Sequence, residues 1–199
     1  MVKGILDRRK QEFGEEHDAP LFVWEPVPDL CTPEELENCR EALKMVDYVS
    51  PNHEEMAGFY GASGNHGEHV DRALIEQCAV AWLPNCKDGA KLKAVVVRAG
   101  KDGCLVANRE GMTTRWIPVY HQNSDKVIDP TGGGNAFLGG LAIGLTRGTT
   151  VEEAAVLGSI AASFAIEQVG VPKLTVDTND ERWNDERAED RLERFMQRL

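Results

Sequence analysis

Short apolar runs alternate with longer stretches of helical periodicity through most of this sequence, and no other feature limits its fold so sharply. "LFVWEP" (21–26) is a compact apolar run closed by proline, which predicts a buried parallel strand. "PEELENCREALKMV" (33–46) repeats Leu36, Cys39, Leu43 and Val46 at helical spacing, with acids in the first turn and Thr32 placed to cap it. "DYVS" (47–50) then reads as a second strand, completing a β-α-β unit. After a Gly-rich loop, "GFYGASGNHGEH" (58–69), the pattern predicts a helix over 70–83. The strongest strand of the chain follows, "LKAVVVRAG" (92–100). "GCLVAN" (103–108) and "TTRWIPV" (113–119) read as antiparallel partners across turns at Asp102-Gly103 and Glu110-Gly111. Two small-residue helices, 134–148 and 150–170, follow. Strands alternating with helices imply a layered α/β architecture.

The ends of the chain are helical in this reading. Val2, Ile5, Leu6 and Phe13 suit a short amphipathic helix, followed by an acidic loop ending at Pro20. From about 179 to 199, acids alternate with arginines around Leu192, Phe195, Met196 and Leu199, the spacing of an amphipathic helix. Such a helix docks on its own domain or binds a partner.

A net charge of −11 argues against nucleic acid or an anionic membrane as partner, since both require clustered Lys and Arg. The five cysteines, Cys31, Cys39, Cys78, Cys86 and Cys104, form no CxxC pair and suit free thiols in a reducing compartment. His66 and His69 lack further ligands at metal-binding spacing, so we assign no zinc. The N-terminus turns charged within a few residues, unlike a secretory signal, and no apolar run is long enough to span a bilayer. A cytosolic protein is expected.

Chemistry concentrates in "DPTGGGNAFLGG" (129–140). A glycine triplet at a helix start exposes backbone N–H groups with no intrahelical partner, and no β-carbon blocks an approaching anion. The macrodipole adds partial positive charge, so the segment suits a phosphate or oxyanion. A tight turn with close helix–sheet packing would use the same glycines. Pro130 pushes Asp129 toward an extended conformation, aiming its carboxylate away from the helix.

The segment "VIDPTGGGNAFLGGLAIGL" resembles the signature of the PfkB (ribokinase-like) carbohydrate kinases, D-T-x-G-A-G-D before a helix. In that family the glycines form the anion hole for the transferring phosphoryl group and the last Asp is the base for the acceptor hydroxyl. The resemblance places Gly132, Gly133 and Gly134 in the anion hole and Asn135 at the base. Asp129 and Thr131 match positions that hold a monovalent cation, K⁺, in some members. "SPNHEE" resembles the family's N-x-x-E motif, which would bring Asn52 and Glu55 to the triphosphate and, indirectly, its Mg²⁺; the same spacing is also a helix capping box. "VVVRAGKDG" resembles the strand and turn V-x-x-T-x-G-x-x-G beside the nucleotide, retaining Gly100 and Gly103 and carrying Arg98 where Thr is usual. Arg98 either pairs with a phosphate or points to solvent. The helix before Pro172 resembles the family's last helix, flanking the adenine.

The resemblance spans about residues 20–172 and implies a ribokinase-like three-layer α/β/α fold lacking the family's N-terminal strands and β-lid. It makes 1–199 one partial kinase domain, the nucleotide-binding half, with ATP and Mg²⁺ as cofactors and a sugar or nucleoside as acceptor. Asn135 cannot accept a proton. General-base help is worth ~10²–10⁴-fold, or roughly 3 to 5 kcal/mol, whereas positioning of the acceptor can supply ~7–11 kcal/mol. Three readings follow: a weakened kinase; a pseudokinase or interaction module, as the G-G-G-N motif is similar to a divergent fungal branch linked to maintenance of killer virus; or a fragment whose uncovered sheet edge invites self-association.

Overall fold

The computed structural model describes residues 2–13, 20–83, 91–177 and 180–199. In chain order its elements are α1 (Val2–Phe13), β1 (Val23–Trp24), α2 (Leu36–Leu43), β2 (Tyr48–Val49), α3 (His53–Gly58) and the tiny hairpin β3 (Asn65–His66) and β4 (His69–Val70). Then come α4 (Arg72–Trp82), β5 (Ala94–Arg98), β6 (Cys104–Asn108), β7 (Thr113–Ile117), α5 (Gly133–Thr146) and α6 (Val151–Ala165). A second hairpin, β8 (Leu174–Asp177) and β9 (Asp180–Trp183), and a last helix, α7 (Ala188–Met196), complete the chain. Residues 84–90, which include Cys86, lie outside the described residues.

Five strands form the main sheet in the order β1-β2-β5-β6-β7. The first three are parallel and the last two antiparallel. Period-two alternation along the central strands divides the core between the faces. Val95, Val97, Leu105 and Ala107 face a cluster with Leu43 of α2, Met56 of α3 and Trp82 of α4. Ala94, Val96, Cys104 and Val106 face a second cluster, with Phe137 and Leu141 of α5, Ile160 of α6 and Phe195 of α7. The expected three layers are therefore present. Burial on both faces explains the unbroken valine run of β5, since no residue of its middle meets water.

Several expectations from sequence are corrected. The strand in "LFVWEP" keeps two ladder residues and is only half-buried, because β1 is a sheet edge with β2 as its one neighbour. Helix 33–46 opens as a 3-10 turn over Pro33–Glu35, and the Thr32 side chain makes no capping bond. The glycine-rich loop 58–69 contains the end of α3 and the β3–β4 hairpin. The predicted C-terminal helix shortens to Ala188–Met196, because Asn184 and Asp185 adopt positive φ in the turn after β9. Residues before that turn form the β8–β9 hairpin. Of the expected apolar stripe Phe195 is buried and Leu192 packs partly, whereas Met196 and Leu199 remain exposed.

Helices α5 and α6 pack at glycines. A β-carbon on Gly140 would lie 2.5 Å from the Leu157 carbonyl oxygen, and one on Gly144 2.6 Å from the Ala154 Cα. One on Gly158 would lie 2.8 Å from the Phe137 carbonyl oxygen. These obstacles are backbone and cannot step aside. Gly139, one residue away on the exposed face, has nothing within 4 Å. Alanine is favoured over glycine in a helix interior by about 1 kcal/mol, and overpacking a fixed contact costs about 1–3 kcal/mol. Gly139→Ala should therefore raise Tm by about 2–4 °C, and Gly140→Ala should lower it despite the same gain in propensity. Thermal melting of both variants checks this; an equal rise in both would show that the helices do not approach this closely.

Candidate functional site

Parallel strands leave their C-terminal ends on one side of a sheet, where ligands of α/β folds gather. Here those ends deliver Glu25 after β1, Ser50 after β2 and Arg98 at the end of β5. Pairing of β2 with β5 continues past the ladder: the Arg98 amide donates to the Pro51 carbonyl at 2.9 Å, and Asn52 bridges to Arg98 in parallel register. The N-terminus of α3 is thereby fixed against the side chain of Arg98.

Asn52 and Glu55 form a complete capping box. Asn52 Oδ1 accepts from the Glu55 amide at 2.8 Å, and Glu55 Oε2 accepts from the Asn52 amide at 2.7 Å. Asn52 Nδ2 adds a bond to Glu55 Oε1 at 2.8 Å. Glu55 is 7% exposed. Burial pushes its carboxyl above the usual range, opposed by the Asn52 amide and the Arg98 guanidinium.

Arg98 does not point to solvent. Its side chain is 13% exposed, and Nη2 pairs with Glu25, lies 3.5 Å from Glu55 Oε2 and donates to the Ser50 carbonyl at 3.1 Å. Nε is buried without a hydrogen-bond partner. On its other side Nη1 lies where a β-carbon on Gly134 would be. One guanidinium thus meets two carboxylates behind and the glycine run in front.

The glycines have separate reasons for being bare. Gly132 caps α5 at φ +83°, a left-handed conformation that a side chain would strain. Gly133 approaches Ile166, whose Cγ2 would lie 2.9 Å from an added β-carbon, and Gly134 makes room for Arg98. Asp129 Oδ1 accepts from the Thr131 amide at 2.9 Å, which holds its carboxyl below the usual range. The Gly133 amide is taken by the Pro130 carbonyl at 3.1 Å. The amides of Gly134 and Asn135 have no acceptor among the described residues. The tight turn is therefore present, and the same segment leaves two amides without an acceptor among the described residues. Asn135 is exposed in the first turn of α5, and its carboxamide makes no hydrogen bond to the described residues.

These features border a cavity of about 640 Å³. Its polar part is made by Arg98, Gly100, Lys101, Gly103, Gly133 and Gly134. Gly103 closes the turn after β5 at φ +90°, so tightly that a β-carbon would strike the Ile117 carbonyl. Its less polar part is lined by Tyr120, His121, Phe137, Ala162, Ser163 and Ile166. Asn52, Glu55, Asp129, Thr131, Gly132 and Asn135 do not line the cavity; Asn52 and Glu55 stand behind Arg98. His121 Nε2 lies 3.1 Å from Glu167 and 3.2 Å from the Ser163 carbonyl, and burial holds its pKa below the ordinary histidine value despite Glu167. A second cavity of about 550 Å³ opens at the opposite ends of β5 and β6, beside Lys93, Arg109 and Thr150. It contains none of the residues that the sequence singles out.

Glu25, Lys101, Tyr120, His121 and Ser163 were not picked out in the sequence. Glu25 carried a readable signal, an acid at the C-terminal end of an apolar run, where a parallel strand delivers ligand-facing residues. Tyr120, His121 and Ser163 carried none, since only tertiary packing joins them. Among the described residues no group of three or more His, Cys, Asp or Glu gathers as a metal site, and no helix is long and apolar enough to cross a membrane.

A family profile described as "pfkB family carbohydrate kinase" matches residues 23–178. The chain is 31% identical over 185 residues to Protein MAK32 of Saccharomyces cerevisiae, covering 89% of this chain and 49% of that protein. It is 42% identical over 132 residues to an inositol 3-kinase of Arabidopsis thaliana, covering 66% of this chain and 33% of that enzyme. The chain thus spans about half the length of the first relative and a third of the second. The fold is similar to that of the nucleoside kinase of Methanocaldococcus jannaschii, an archaeal member of the ribokinase family, with a TM-score of 0.61 at 22% identity over 98% of this chain and 54% of that one. A match running from the edge strand β1 through the glycine run and beyond α6, on a backbone of ribokinase type, means that the chain belongs to the pfkB family of carbohydrate kinases.

Proposed function

We propose that this chain holds ATP in the cavity beside Arg98 and the glycine run and transfers its γ-phosphoryl group, slowly, to an alcohol of a sugar or nucleoside. The observation that carries this reading is the placement of a buried guanidinium directly under two free helix-terminal amides. The Gly134 and Asn135 amides, with the positive end of α5, stabilise the terminal phosphate oxygens. Arg98 faces the chain of phosphates from the other side.

Glu25 and Glu55 stand behind Arg98 and do not line the cavity, so an Mg²⁺ brought with ATP would meet them only indirectly, through water. Mg²⁺ is usually held by one or two carboxylates together with substrate phosphates and water, and both carboxylates here converge on one cationic nitrogen. Held with the phosphates, the ion would draw charge from their oxygens. Asp129 and Thr131 are the candidates for K⁺, with the Asp129 carboxylate kept ionised by the Thr131 amide.

In the transfer the bond from the γ-phosphorus to the bridging oxygen breaks, and ADP leaves with the electron pair. The acceptor hydroxyl oxygen forms the new bond. Its proton passes to water or to a phosphate oxygen, because the Asn135 amide cannot take it. Transfer depends mainly on positioning and charge stabilisation, so loss of the base slows it without abolishing it. A second reading, a nucleotide-holding pseudokinase, is favoured by Asn135 itself, exposed and without a hydrogen bond to the described residues.

Two experiments test these readings. Asn135→Asp should raise ATP-dependent phosphorylation across a panel of sugars, polyols and nucleosides by on the order of 10²-fold. ATP binding without turnover in either protein would favour the pseudokinase, and absence of ATP binding would remove both readings. Arg98→Met should weaken ATP and inorganic tripolyphosphate alike by about tenfold or more, the loss of one charge-assisted hydrogen bond of ~1.5–3 kcal/mol. Unchanged affinity for either in calorimetry would mean that Arg98 serves only to neutralise Glu25 and Glu55.

A further inference from the structure

The less polar part of the cavity has an unusual support. Among the described residues, no backbone–backbone hydrogen bond outside the regular elements involves Val119 to Gln122, the segment that brings Tyr120 and His121 to the wall. Side chains hold it, and most come from α7, which lies beyond the region matched by the family profile.

Arg191 is the centre of that support. It is 3% exposed. Its Nη1 donates to Ser163 Oγ at 2.9 Å and lies 3.1 Å from Glu167 Oε1, while Nε donates to Glu186 at 2.9 Å. The guanidinium carbon sits 3.6 Å from the ring centre of Phe164 and 5.1 Å from that of Tyr120. Two of its polar partners, Ser163 and Glu167, also contact His121. Arg198 works from just beyond the helix's C-terminal end: Nη2 donates to the Tyr120 carbonyl at 3.0 Å, and its guanidinium lies 4.8 Å from the Tyr120 ring centre. Phe195 meets the same ring edge-on, at 5.4 Å.

Docking a helix does not require this arrangement. Phe195 already supplies an apolar anchor, and a buried ion pair is often replaceable by packed apolar residues without loss of stability. What the arginines add is direction. A planar guanidinium with fixed hydrogen bonds sets the tilt of the Tyr120 ring, the course of its backbone and the partners of His121.

We propose that Arg191 of α7 and Arg198 just after it position Tyr120 and His121 as the wall against which the base of a nucleoside triphosphate packs. This rests on the nucleotide reading of the cavity. Arg191 and Arg198 are positioning residues: they act through Tyr120, His121 and Ser163, and the phosphates are held elsewhere, at Arg98 and the glycine run.

The division between base and phosphates gives the test. Affinities for ATP and for inorganic tripolyphosphate are measured by calorimetry on the full chain and on Arg191→Leu and Arg198→Ala, with melting temperatures alongside. Arg198 is exposed, so its variant reports even where loss of Arg191 impairs folding. The expected result is a loss of about tenfold or more for ATP with tripolyphosphate affinity changed less than about twofold. Equal losses for the two ligands, or none for ATP, overturn the proposal and leave α7 as a structural element only. An unaltered chain that binds neither ligand removes the nucleotide reading itself, before any variant is compared.

Discussion

A cation buried between two acids organises this molecule. Arg98 arrives at the end of β5, Glu25 at the end of β1, and Glu55 in the first turn of α3, so one guanidinium ties three elements together at the ligand-facing side of the sheet. Arg98 and Glu55, both largely buried, would each be expensive to hold alone. Together they hold one another in place, and the Asn52 box fixes the geometry of Glu55. Gly134 leaves room for the Arg98 guanidinium where α5 approaches it.

This arrangement bears on how a chain of net charge −11 can attract a polyphosphate. The global field opposes the ligand, and Arg98 is already neutralised by Glu25 and Glu55. The remaining local attraction is the pair of free amides at the start of α5, the dipole of that helix, worth about 0.3–1 kcal/mol in exposed settings, and Lys101 on the cavity wall. On the proposed reading, a divalent ion brought with the nucleotide would offset part of the phosphate charge and ease its approach to a site backed by Glu25 and Glu55.

The layered fold was legible because its signal is periodic. The valine run of β5 could be satisfied only by helices on both faces, and the small residues of α5 and α6, which suggest close packing on the sheet, in fact bring the two helices together. Legibility ended where contacts replaced patterns. Nothing in the sequence distinguishes the Asn52–Glu55 spacing of a cap from that of a phosphate-side motif, and in three dimensions the cap geometry is present in full and stands behind Arg98. The sequence alone leaves Arg98 between phosphate and solvent, because its partner Glu25 lies 73 positions away and pairs with it only once β1, β2 and β5 are aligned. The C-terminal helix was overextended for a related reason. Charge alternation continues through the β9 segment, and helical spacing alone could not show that Asn184 and Asp185 turn the chain first.

Asn135 poses a question of degree. Replacing a carboxylate by an amide at a helix N-terminus removes a base, and it also removes a negative charge next to the two amides that would hold a phosphate. The first change slows proton removal; the second lessens repulsion of the ligand. In a protein already carrying excess negative charge, both changes bear on the proposed nucleotide site: the first would lower turnover, and the second would favour retention of the ligand.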